Sequence, residues 1–142
     1  MSIIVERIIS HTDKTVRAIV DHHGNRLDVE VAGPVSRIAE ILGQSLAVEI
    51  GYAAIADLQV LEHDSEPAHG LFQSDPSNRN ARVVGRVHNV IPLDNGDSVF
   101  DVYVQTGPEF LSFDSTEYER ELKVGDPVAI VVENLCFYPT WT

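Results

Sequence analysis

The chain has 142 residues, 44% hydrophobic and 23% charged. That is ordinary globular composition, and it excludes collagen-like, disordered and coiled-coil chains. Against 10 basic residues stand 22 acidic ones, for a net charge of −12, and no segment offers the Lys/Arg surplus that a nucleic-acid backbone demands. Residues 1–61 carry 8 acids and 5 bases, residues 62–80 carry 4 and 1, and residues 81–142 carry 10 and 4. The single cysteine, Cys136, excludes an internal disulfide and any multi-cysteine metal site.

The first apolar stretch is interrupted by Glu6 and Arg7. It fits neither a signal peptide nor a membrane span, and no later run reaches the ~18 apolar residues a span needs. A cytoplasmic protein without a membrane partner is expected.

Period-two alternation rich in Val and Ile predicts strands over residues 3–9, 15–20, 26–31 and 46–50. Asp21-His22-His23-Gly24-Asn25 marks a turn between the second and third of these, and Gly33-Pro34 makes a corner. Beyond it, Val35, Ile38, Ala39, Ile41 and Leu42 fall largely on one side of a helix over residues 35–42, stopped by Gly43. Residues 62–80 are rich in Pro, Ser, Asp, Asn and Gly and predict a linker or long loop. Within it, Leu71-Phe72 is apolar enough to tack the loop onto the surface of a barrel. Further strands are predicted over 82–90, 98–105, 110–113, 128–132 and 135–138, with a tight turn at Asp94-Asn95-Gly96-Asp97. A second short helix is expected from Thr116, whose spacing to Glu119 suits a capping box.

This divides the chain into a first β unit (1–61), a connection (62–80) and a second β unit (81–142). The halves resemble each other. Leu27 to Pro34 lines up with Phe100 to Pro108, and Gly43 to Ile50 with Gly125 to Val132, in the same order. An internal duplication of a small β unit accounts for this. The stretch Leu122-Lys123-Val124-Gly125-Asp126-Pro127-Val128 is similar to the turn into a late strand of small Greek-key barrels. Each half thus resembles an OB-type barrel, in which a Gly kinks a strand and a short helix plugs one end. The expected fold is mainly β, two OB-like units with short helices; the resemblance names no family and carries no function.

Every aromatic except Tyr52 lies beyond residue 70. Tyr103, Phe110, Phe137, Tyr138 and Trp141 are candidate interface residues, because Tyr and Trp dominate binding energy at protein contacts. Pro139 ends the last strand, so Trp141 must fold back or enter a neighbouring chain, and a homo-oligomer is expected. The cluster of Arg79, Arg82 and Arg86 is the one basic strip, with Arg82 and Arg86 on one strand face because they are four apart.

His11, His22, His23, His63, His69 and His88 lack the spacing of a metal site, and no G-x-S-x-G elbow or phosphate-binding glycine loop occurs. Asp28 and Asp101 hold corresponding places in the aligned blocks and are expected to bond adjacent turns. Catalytic, cofactor and metal residues are therefore assigned to none. The first functional reading is a non-catalytic binding or assembly module acting through protein contacts, for which a basic protein partner suits the charge. The alternatives are an OB-type single-stranded nucleic-acid binder using Arg82 and Arg86, and a small-molecule or ion-binding barrel.

Overall fold

In the computed structural model, which describes residues 1–62, 68–75, 80–92, 100–106, 109–114 and 122–141, the chain opens with an antiparallel meander. Its strands are β1 (Ser2–His11), β2 (Thr15–His22) and β3 (Asn25–Ala32). Strict alternation on β2 turns Val16, Ala18, Val20 and His22 inward, with Arg17, Ile19 and Asp21 outward. His22 stands opposite Asn25, leaving His23 (φ 49°) and Gly24 (φ 88°) as a two-residue loop. Positive φ at both central residues is what a type I′ hairpin turn requires.

Helix α1 (Val35–Ala39) follows Gly33-Pro34 and plugs the barrel with the buried Ile38. It is shorter than the predicted 35–42. The Ile41 N–H bonds back three residues to Ile38 O, and Gly43, at φ 77°, donates to Val5 O on β1 at 3.0 Å. That bond to β1 draws the chain off the helical path.

Eight strands follow: β4 (Ser45–Gly51), β5 (Ala54–Val60), β6 (Gly70–Asp75), β7 (Asn80–Pro92), β8 (Phe100–Thr106), β9 (Glu109–Asp114), β10 (Pro127–Glu133) and β11 (Cys136–Pro139). A closed barrel runs β1-β2-β3-β11-β4, with β11 parallel to β3 and antiparallel to β4. A second sheet runs β5-β10-β7-β8-β9, with β6 added on β7. Read from its third strand, the barrel is β3-β2-β1-β4-β11; read from its far edge, the second sheet is β9-β8-β7-β10-β5. The two orders are equivalent, so the chain holds two small barrel units, one closed and one half-open.

This equivalence corrects part of the internal alignment. Gly43–Ile50 and Gly125–Val132 do lead into corresponding strands, β4 and β10. The other pair of blocks matches β3 with β8, which is the second strand of its unit, whereas β3 is the third. Strand β9 stands between the two aligned blocks in the second half. Nor do the sheets divide at residues 61 and 81. Strand β5 belongs to the second sheet, β11 closes the first barrel, and β6, with Leu71 buried, lies within the stretch expected as a loop. Strand β5 escapes a pattern reading because it buries no residue fully and carries Asp57 at its centre. The turn expected at residues 94–97, Gly107 and Pro108 of the aligned block, and the helix expected from Thr116 lie outside the described residues.

Each unit thus takes its fifth strand from the far side of the other. β4 runs on into β5 and β10 into β11, and the two pairs lie antiparallel as one ribbon. Glu133 is opposite Ala54, Cys136 is opposite Gly51, and the Ala53 N–H donates to Glu133 O at 2.8 Å where the ribbon crosses between sheets. Leu135 and Phe137, just beyond the crossing, are buried in a core shared by both units.

Two further residues matter, one for branching within the second sheet and one for a tie between the sheets. Strand β7 pairs with β6 up to Val84 and with β8 from Arg86 onward, so it changes partner at Gly85. A Cβ there would overlap the Gln105 carbonyl oxygen and lie 2.8 Å from Val104 Cγ1. On β3, pairing with β11 covers only Glu30 and Val31. Gln73 of β6 supplies a rung in place of strand at Asp28, its Oε1 accepting from the Asp28 N–H at 2.7 Å while its Nε2 donates to Asn80 O at 3.2 Å.

Gly85→Ala should lower the denaturation midpoint by an amount worth about 1–3 kcal/mol, since backbone is the obstacle and cannot swing away; an unchanged midpoint would remove this role. Gln73→Ala should cost about 1–3 kcal/mol by leaving the Asp28 N–H without its acceptor, and amide exchange at Asp28 should accelerate while that at Val20 does not.

Candidate functional site

The outer face of β1–β3 gathers the charges that alternation turns outward. Arg17, Ile19 and Asp21 come from β2, and Arg26, Asp28 and Glu30 from β3. From β1 come both Glu6 and Arg7, because a register shift between Val5 and Arg7 breaks the alternation and exposes neighbours. Arg17 and Asp28 form a bidentate pair, Nε–Oδ1 at 2.9 Å and Nη2–Oδ2 at 2.6 Å. Hydrogen bonding and the charge of Asp28 raise the Arg17 guanidinium further above its already high range. Arg26 reaches Glu6 with Nε 3.1 Å and 3.4 Å from the two carboxylate oxygens, in an exposed and looser pair.

That looser pair stands between two open depressions. One, of about 610 Å³, is lined by Glu6, Asp21, Gly24, Asn25 and Arg26. The other, of about 340 Å³, is lined by Glu6, Arg7, Ile19 and Arg26. Together they make a groove with carboxylates Glu6 and Asp21, guanidinium groups at Arg7 and Arg26, and a half-buried Ile19 on its floor. At the hairpin end His22, 2% exposed, meets the ring of His23 edge-on at 4.5 Å.

Of the expected interface residues, the side chains of Phe137, Tyr138 and Trp141 are described, and their surroundings differ. Phe137 is 0% exposed, because its register on β11 turns the ring into the shared core. Trp141 folds back: its ring lies beside Gly33, under the Arg37 guanidinium carbon at 4.0 Å from the ring centroid. Tyr138 is 50% exposed, with its ring over the space a Gly51 side chain would fill. The backbone of Tyr103 pairs with Ser112 on β9, and that of Phe110 with Gln105 on β8.

Of the basic strip, Arg79 lies outside the described residues, Arg82 is partly buried and Arg86 is exposed. Arg82 and Arg86 pair with Val131 and Pro127 of β10 without an intervening register shift, so they share a strand face on either side of Gly85. Among the described residues no three His, Cys, Asp or Glu side chains converge to hold a metal. Asp28 is committed to Arg17 rather than to a turn. Two positions were not singled out from sequence, the Glu6–Arg26 pair and Gln73. The alternating charges of β2 and β3 carried a signal for the first, but the β1 irregularity that brings Glu6 to the face has none.

Burial pushes the Cys136 thiol above its ordinary range, an effect that the neighbouring Tyr138 hydroxyl partly opposes. Because the unfolded chain ionises this thiol at lower pH than the folded one, stability should decline as pH rises past the ordinary thiol range. A bulky thiol reagent at neutral pH should react only as β11 opens, and prompt stoichiometric labelling of the native protein would contradict this. No family model, no curated protein and no solved structure matches the chain.

Proposed function

We propose that the chain is a non-catalytic binding and assembly module of the cytoplasm, which docks a basic segment of a protein partner along the β1–β3 groove. The observation that carries the reading is the loose Arg26–Glu6 pair beside Asp21. An incoming Lys or Arg can take the place of Arg26 on Glu6 and meet Asp21 next to it, exchanging one exposed ion pair for another at little desolvation cost. Ile19 provides an apolar floor for the aliphatic stem of such a side chain. The −12 charge of the chain steers a basic partner inward and a nucleic acid away. No helix among the described residues is long and apolar enough to cross a membrane.

Selection of a random peptide library on the immobilised protein tests this. Lys/Arg-containing peptides should be enriched, and the Glu6→Lys/Asp21→Lys double variant should weaken their binding by about tenfold or more, in the range of two partly exposed charge contacts, with an unchanged circular dichroism spectrum. Enrichment independent of peptide charge would contradict the proposal. Retention of oligonucleotides that falls steeply with salt and vanishes on replacing Arg82 and Arg86 would transfer the assignment to a nucleic-acid binder.

A further inference from the structure

The groove on β1–β3 carries opposite charge at its two ends. Glu6 and Arg26 line both depressions, while Asp21 lines one alone and Arg7 the other. Ion pairing on this face joins Arg17 to Asp28 and Arg26 to Glu6, and among the described residues Arg7 and Asp21 form none. The strand register fixes how far apart these two stand. Asp21 lies opposite Arg26, whereas Arg7 lies opposite Ile19, two residues back along β2. That offset is about 7 Å along the strands and about 5 Å across them.

We infer that the segment docked in this groove is bipolar: a Lys or Arg for Glu6 and Asp21, and two residues away an Asp or Glu for Arg7. This pattern rests on the docking proposed above and narrows its partner. In an extended segment, side chains two apart share a face and stand about 7 Å from one another, which matches the offset along the strands. Side chains one or three apart point to opposite faces. Charge balance selects the second residue. When an incoming cation takes Glu6, the Arg26 guanidinium, on a side chain 74% exposed, loses its partner. It then shares a depression with Arg7, and two like charges there oppose an all-basic segment. A carboxylate between them removes that repulsion and accepts hydrogen bonds from the fork that each guanidinium presents. Arg17 does not compete for it, because Asp28 already engages its Nε and Nη2. Arg7 is thus the residue that sets specificity at the second position.

Fluorescence anisotropy of short labelled peptides with the full chain decides it. One peptide carries a single Lys among neutral residues, and the others add a Glu one, two or three residues away on either side. A spacing of two, in one order along the peptide, should bind about threefold or more tighter than Lys alone, the range of one partly exposed charge contact, with the gain shrinking as salt rises. Arg7→Gln should erase that gain. Arg7→Glu should reverse it, so that a second Lys is preferred to Glu, with an unchanged circular dichroism spectrum. Lys peptides that bind equally whatever the second charge would overturn the bipolar pattern and leave the docking of a basic segment standing. A preference for a spacing of one or three, or a preference for Glu that survives both Arg7 variants, would also overturn it. Failure of every Lys peptide to bind would remove the docking itself, and the pattern with it.

Discussion

The structure depends on one ribbon. β4–β5 and β10–β11 run antiparallel from one sheet into the other, register-matched on both sides of the crossing and tied there by Ala53 N–H to Glu133 O. Because the chain crosses twice, neither unit can be completed by its own segment: the first barrel lacks its fifth strand without β11, and the second sheet lacks an edge without β5. The buried residues follow the same logic. Leu135 and Phe137 leave the second sheet with β11 and finish the first core, while Tyr52, arriving from β4, sets its ring 5.6 Å from Phe113 of β9 in the second unit. Gln73 secures the same union elsewhere by replacing a missing sheet rung at Asp28, and within the second sheet Gly85 lets β7 change partner where no side chain fits.

Much of the β architecture was legible in the sequence because alternation is a local signal. β2 and β3, each with one buried face, read cleanly, as did the His23-Gly24 turn, where positive φ calls for a small or permissive residue. Strand β5 was not legible because it lies at a sheet edge and buries no residue fully, so its apolar residues follow no clean period. Strand β6 sat inside a segment whose composition is that of a loop, and only Leu71-Phe72 hinted at packing. The exchange of fifth strands had no signal at all. Which sheet a strand joins is decided by long-range pairing, and residues 134–135 look the same in sequence whether the chain turns back or crosses over.

For the candidate site the balance is similar. The outward charges of β2 and β3 follow directly from parity, yet the groove needs Glu6, which faces it only because β1 slips register between Val5 and Arg7. Residues counted toward an interface by type alone divide among a core position at Phe137, an intramolecular stack at Trp141 and an exposed ring at Tyr138. What aromatics near the end of the chain do here is close a barrel. The polar character of the remaining face, with one firm bidentate pair and one loose exposed pair side by side, is what sets Glu6 and Arg26 apart as the exchangeable contact.

The most direct test of the interlocked ribbon is calorimetric. If each unit needs the other's strand, neither survives alone, and differential scanning calorimetry of the wild-type chain should give one transition whose calorimetric and van't Hoff enthalpies agree. Two separable transitions, or a calorimetric enthalpy well above the van't Hoff value, would mean that the units fold independently and would contradict the account.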